Sequence, residues 1–127
     1  MKGLVFDTSV WIEYLKGNPS YFFNCQELLE EGKVCGIALI FAELLQGAKG
    51  KREIGVILDL VNSIPLLDEP QLIIEASIMS NRLNLINHGV GLIDAVIIHS
   101  VKKNDILLWT LDNKVRKVIG YEFLFNL

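Results

Sequence analysis

Gly3-Leu4-Val5-Phe6-Asp7-Thr8-Ser9-Val10-Trp11-Ile12 is the stretch whose reading decides the fold. Three apolar residues run into an acid and two hydroxyl residues, and the apolar pattern then resumes. An unbroken apolar run of this length reads as a strand covered on both faces, as in a parallel sheet. Asp7, Thr8 and Ser9 are helix-capping residues, so the spacing predicts a helix from Val10 to Lys16 directly after the strand.

The same alternation continues along the chain. Gly17 to Ser20 reads as a turn, and Tyr21 to Glu31 as an amphipathic helix with Phe22, Cys25, Leu28 and Leu29 on one stripe. Val34 to Ile37 is the second expected strand, Ala38 to Gln46 a short helix stopped by Gly47, and Lys51 to Leu60 another helix. Ser63 to Leu66 is a brief third strand. Pro70 suits the first turn of a long helix running to about Asn87 and ended by His88-Gly89. Leu92 to Lys103 is an almost wholly apolar helix, Ile106 to Trp109 a fourth strand, Asn113 to Ile119 a helix, and Tyr121 to Phe125 a last strand. Strands alternating with helices predict an α/β fold with a mainly parallel sheet.

The bulk properties narrow the class. The chain of 127 residues suits a single domain over 1–127, with 51% hydrophobic residues and a mean hydropathy of +0.39. Such a composition excludes disorder. The longest uncharged apolar stretch, Val34 to Ala42, is far short of the ~20 residues of a spanning helix, so no membrane contact is expected. The apolar run after Lys2 is ended by Asp7, which does not fit a signal peptide. Cys25 and Cys35 form no CxxC pair and read as free thiols of a reducing cytoplasm. The net charge of −3 argues against a passive nucleic-acid binder. It does not argue against an enzyme that concentrates acids at one point to hold cations.

Four acids stand apart from those in charged or turn-like company, which are Glu30, Glu31, Glu53, Asp59, Asp68, Glu69 and Asp105 and are expected to be solvated. Asp7 ends the first strand, at the edge where open α/β sheets bind ligands, although taken alone an Asp there more often serves as a helix N-cap. Glu43 lies in a helix apolar on both sides, where an ordinary exposed Glu is the other reading. Asp94 is surrounded by Leu92, Ile93, Ala95, Val96, Ile97 and Ile98. A carboxylate in that setting is costly unless paired or bound to a metal, although the helix dipole also favours a first-turn Asp. Asp112 follows the fourth strand and Thr110, a place that also suits a turn or cap. Taken together, the four predict an all-oxygen site for Mg²⁺ or Mn²⁺. Zinc would call for Cys or His, and His88 and His99 are few and far apart; His99 reads as an ordinary helix residue.

Asp7-Thr-Ser-Val-Trp-Ile12, Ala42-Glu-Leu-Leu-Gln-Gly47, Gly91-Leu-Ile-Asp-Ala95 and Thr110-Leu-Asp112 resemble, in order, the motifs of PIN-domain proteins, and most of all the VapC-type toxins of toxin–antitoxin pairs. The resemblance spans nearly the whole chain. It implies a three-layer α/β/α fold with a parallel sheet of order 3-2-1-4-5, Mg²⁺ or Mn²⁺ as cofactor, and endonucleolytic cleavage of RNA. It also implies Asp7, Glu43, Asp94 and Asp112 as the catalytic and metal-binding acids, with Ser9 and Thr110 as polar support. Shortly after the last Asp, where relatives often carry another acid and a Phe, this chain has Lys114 and Val115, a departure that weakens a second metal site.

Cations near these motifs are candidates for the RNA backbone: Lys49, Lys51 and Arg52, then Lys114, Arg116 and Lys117; a solvated face is their bland alternative. Trp11 and Trp109 fit packing better than base stacking. Tyr21 to Phe23 with Phe41 to Leu45 offers an apolar groove for a segment of an antitoxin protein, whose Arg or Lys would meet the carboxylates. The apolar composition further suggests a homodimer. An RNA-processing nuclease and a non-catalytic PIN-like binding module are the alternatives to a toxin. A dehalogenase-type phosphatase is excluded by Ser9 two residues after Asp7, where a second Asp is needed. Gly47 to Arg52 lacks the spacing and hydroxyl of a P-loop.

Overall fold

The structure is a computed structural model that describes residues 3–127. Its elements are β1 (Leu4–Phe6), α1 (Thr8–Leu15), α2 (Pro19–Glu30), β2 (Val34–Cys35), α3 (Ala38–Gln46), α4 (Lys51–Ser63), α5 (Pro70–Leu83), α6 (Leu92–Lys103), β3 (Leu107–Trp109) and α7 (Asn113–Ile119). Short 3₁₀ turns occupy Leu85–His88 and Tyr121–Phe123.

The sheet is parallel in the order β2-β1-β3. Leu4 stands between Val34 and Leu107, and Val5 between Cys35 and Leu108. The chain leaves β1 towards β2, then returns past β1 to reach β3. Right-handed crossovers made in opposite directions put the connecting helices on opposite faces. They also leave a crevice at the carboxyl ends of β1 and β3, the switch point at which such sheets bind ligands.

Both outer strands are shorter than expected. The strand expected over Ser63 to Leu66 is reduced to one parallel bridge between Leu66 and Gly36, and that over Tyr121 to Phe125 to one bridge between Leu124 and Leu108. The physical reason is local. Pro65 has no N–H to give, so pairing there is limited to Gly36 N–H donating to the Pro65 carbonyl at 2.7 Å and Leu67 N–H donating to the Gly36 carbonyl at 3.0 Å. At the other edge a 3₁₀ turn takes up residues 121–123, and Phe125 N–H alone donates to the Leu108 carbonyl, at 2.9 Å. The order 3-2-1-4-5 thus survives as three strands with a bridge on either side. Two element ends also differ. The long helix stops at Leu83, because Asn84 takes a left-handed conformation (φ 56°) that its short amide side chain tolerates. In addition, β2 ends at Cys35, because the extended Ile37 already serves as the N-cap of α3.

Leu4, Val5 and Phe6 are fully buried. The Phe6 ring meets Trp11 edge-on at 4.9 Å and Trp109 at 5.6 Å. Both tryptophans are therefore core residues, closed to base stacking. α6 buries Ala95, Val96, Ile97, Ile98 and Val101, which fixes it against the sheet. Among the described residues no helix is long and apolar enough to cross a membrane.

The start of α3 is held by a residue from elsewhere. Ile37 has no capping side chain, and instead Asp68 accepts hydrogen bonds from the backbone N–H groups of Ala38 (2.5 Å) and Leu39 (3.0 Å). Asp68, expected to be solvated, is a cap supplied in trans, and its position fixes the helix that carries Glu43. We expect Asp68→Ala to cost about 0.5–2 kcal/mol, the range for losing an N-cap, and Asp68→Asn to cost less. A lowered urea midpoint at an unchanged slope is the check, and an unchanged midpoint would refute the cap.

Candidate functional site

Asp7 sits at the end of β1 with only 5% of its surface exposed. Its Oδ1 accepts the Thr8 backbone N–H at 2.7 Å, which caps α1. Its Oδ2 accepts the Thr110 hydroxyl at 2.6 Å and, more distantly, the Ser9 hydroxyl at 3.4 Å. The two hydroxyls are themselves anchored: Thr110 Oγ1 accepts the Asp112 N–H at 3.0 Å, and Ser9 Oγ accepts the Leu111 N–H at 3.2 Å. A relay therefore runs from the Asp112 backbone through Thr110 to Asp7, and it fastens the end of β3 to the end of β1. Asp112 Oδ1 accepts the Lys114 and Val115 N–H groups and caps α7.

Asp94 lies in the first turn of α6, with the Gly91 N–H hydrogen-bonded to its carboxylate. Partial burial pushes its carboxyl up to about 6, with Asp7, Asp112 and Glu43 adding repulsion in that order. All three other acids are thus close enough to be felt at Asp94. Glu43 reaches the group from the exposed side of α3.

The four carboxylates share one end of the sheet, but they do not close into a cage. Among the described residues no three His, Cys, Asp or Glu side chains gather tightly enough to hold a metal ion as they stand. The expectation of a converged cluster is corrected to this open grouping. Two forces account for it. Like charges repel, and Asp7 and Asp112 are each turned towards capping amides. The donor chemistry still fits a hard divalent cation, since every candidate ligand is oxygen. No Lys, Arg or His among the described residues forms an ion pair with any of the four. The cysteines do not compete, because burial pushes the Cys25 thiol up to about 12 and the Cys35 thiol up as well.

The basic candidates separate. Lys49 and Arg52 line a cleft of about 790 Å³ between α1, α3 and α4, and Thr8 and Glu43 line it too. Lys51 is exposed at the first position of α4, outside that lining. The Lys114 side chain lies across Gly89, Arg116 donates to the Thr110 carbonyl at 3.3 Å, and Lys117 is exposed on α7. The residues expected to form an apolar groove, Tyr21 to Phe23 with Phe41 to Leu45, are divided: Phe23 is exposed, and others are packed inward. Phe41 is buried against Trp11, and Tyr21 packs on Trp109. Leu44 faces the cleft instead, beside Ile12 and Leu15. Sequence reasoning also passed over a clasp between α5 and α6. Glu75 Oε1 receives Lys103 Nζ at 2.8 Å and stands 3.1 Å from His99 Nε2, and these two partners hold its carboxyl down to about 2.

A model of the PIN domain family matches residues 4–120. No individual curated protein matches the chain.

Two outcomes are expected of the site itself. Thr110→Val should cost about 1.5–3 kcal/mol, the range for a hydrogen bond to a charged group, since it strips a buried carboxylate of its shortest donor; a urea midpoint equal to that of the parent would refute the relay. The second concerns pH. The Asp94 carboxyl titrates near 6 when folded and near 3.8 when unfolded, so the folded state retains the proton longer. Its contribution to stability therefore falls as pH rises from about 4 to 6 and is level above that. The metal-free Asp94→Asn protein should match the parent near pH 4 and become more stable than it by pH 7. A difference that shrinks over this interval would show that burial, together with the neighbouring carboxylates, does not raise the Asp94 carboxyl.

Proposed function

Because the chain belongs to the PIN domain family, whose members are typically nucleases, we propose that it is a divalent-cation-dependent endoribonuclease. The observation that carries the proposal is the grouping of Asp7, Asp94, Asp112 and Glu43 at the sheet's switch point with no ion-pairing cation among the described residues. Four negative charges in proximity oppose folding, and a nuclease of this kind is balanced by the ions it uses.

Asp7 and Asp94 would hold Mg²⁺ or Mn²⁺, with Asp112 completing the set. A bound cation of this type supplies neutralisation of phosphate charge and a water of lowered pKa. The chain's own part is to position. Thr110, Thr8 and Ser9 fix the Asp7 carboxylate, so its oxygens do not reorganise during the reaction. The first turn of α6 presents Asp94 from a helix that the core holds rigid. Glu43, exposed on α3, would orient the attacking water for in-line displacement at phosphorus. Arg116, bound to the Thr110 carbonyl, steadies the loop from which the relay starts.

The finer reading is a VapC-type toxin restrained by a cognate antitoxin and acting in the cytoplasm as a homodimer. The quoted motifs support the toxin. An exposed apolar stripe on α5, with Ile74 at 57% and Ile78 at 48% exposure, supports self-association. An antitoxin would need an Arg or Lys to meet the uncompensated carboxylates.

Purified protein should cleave RNA with Mg²⁺ or Mn²⁺ and stop with excess EDTA. Asp94→Asn should lose at least a hundredfold in rate with its circular dichroism intact. Equal rates in EDTA, or full activity in that variant, would end the proposal. Expression of the chain alone should arrest growth and co-expression of a neighbouring gene should relieve it; a harmless yet active chain would favour RNA processing. Light scattering at micromolar concentration should give twice the mass of the 14.3 kDa chain.

A further inference from the structure

The cleft between α1, α3 and α4 is open, large and next to the carboxylates. Glu43 belongs both to its lining and to the group felt by Asp94, and Thr8, whose N–H binds Asp7, lies on its wall. The carboxylate edge and the cleft thus share Glu43 and adjoin at Thr8. The charge of the cleft is opposite to that of the edge. Lys16, Lys49 and Arg52 face it, and among the described residues Lys49 and Arg52 form no ion pair. Lys16 is only loosely engaged by Glu13, at 3.9 Å with its own side chain 66% exposed. Between these cations lies an aliphatic wall, in which Ile12 is 39% and Val56 45% exposed.

We propose that this cleft carries an unpaired RNA strand leading away from the scissile phosphate, with Lys49 and Arg52 as its phosphate-positioning residues. The proposal rests on the ribonuclease reading above. Cations on the rim and apolar side chains on the wall suit a single strand, which offers phosphates outward and unpaired bases inward; a duplex hides its bases. Among the described residues no aromatic ring lines the cleft, so bases lie against aliphatic groups and sequence is read weakly there. Two acids line the cleft, Glu43 at the carboxylate edge and Glu53 among the cations, where it opposes the strand. Glu53 Oε2 accepts the Lys49 N–H at 3.3 Å, which keeps it beside the cations and moderates their pull.

The test uses the full chain and an end-labelled, mixed-sequence single-stranded RNA of a dozen nucleotides. Affinity is read by anisotropy with Ca²⁺ in place of Mg²⁺, and KM and kcat are read with Mg²⁺. The variants are Lys49→Ala with Arg52→Ala, Glu53→Gln, and Arg82→Ala with Lys102→Ala, which removes the same charge from exposed sites outside the cleft. The first pair should weaken binding at least tenfold and raise KM with kcat within twofold. The slope of log affinity against log salt should flatten by about 0.7 for each phosphate no longer neutralised, and so by about 1.4 for the pair. Glu53→Gln should tighten binding, and the distant pair should match the parent. Equal weakening by both pairs, tighter binding of a duplex of the same length, or no RNA binding at all would overturn the proposal. So would RNA binding insensitive to Lys49 and Arg52 together with a co-expressed protein released by Val56→Asp, which would make the cleft a protein groove. Binding that depends on the pair without cleavage under Mg²⁺ or Mn²⁺ would sink the ribonuclease reading and leave the cleft standing. Cleavage indifferent to the pair would do the reverse.

Discussion

A carboxylate buried at the end of a central strand must be compensated, and most of this protein's working end follows from how Asp7 is. An unpaired buried charge costs several kcal/mol. Asp7 meets that cost with three neutral donors, two from the start of α1 and one from beyond β3. Thr8 N–H sets the start of α1, Thr110 sets the end of β3, and Ser9 reaches both Asp7 and the Leu111 backbone. Thr110 also receives the Asp112 N–H, so the residue that caps α7 is placed by the same relay. Neutral donors satisfy hydrogen bonds while leaving the charge in place. The edge is thus rigid and still negative, and no cation among the described residues forms an ion pair with it.

Where sequence reasoning reached this arrangement, the causes were local. β1 is covered on both faces and reads as an unbroken apolar run, and the residue that ends it also caps the next helix. β3, Thr110, Asp112 and α7 repeat that design. Asp94 was legible from contrast alone, one acid inside a run of apolar residues. The parts that escaped depend on partners distant in the chain. Asp68 looks like any loop acid until the fold brings it to the bare N-terminus of α3, 30 residues back. Glu75, His99 and Lys103 become a clasp only when α5 and α6 lie side by side. The outer strands failed for a different reason. Their composition suits strands, but Pro65 lacks a donor and a turn intervenes after Gly120. At Gly36 a Cβ would stand 2.8 Å from the Phe41 ring and 2.9 Å from Ile64 and Leu66, so the edge can approach there only because the residue is glycine.

Net charge misleads about such a molecule. A value of −3 averages over an edge that is strongly acidic and a cleft with three cations. For a polyanion the average decides little, because screening confines each charge to roughly 8–10 Å at physiological salt. What matters is whether cations stand within that range of the phosphates and whether the acids are balanced by bound ions. The two charge zones meet at Glu43 and Thr8.

α6 shows how apolar packing can place a charge. Five of its residues from Ala95 to Val101 are buried apolar side chains, so its axis is set by the core and scarcely by polar contacts. Its first turn alone emerges at the sheet's carboxyl end, and Asp94 occupies that turn. The environment there is dry enough to raise its carboxyl to about 6. Ala95, one residue later, is fully buried, and Leu92, two residues earlier, is exposed, so Asp94 stands between the core and solvent. The acid is held at the boundary, buried enough to feel its three neighbours and open enough to meet a ligand.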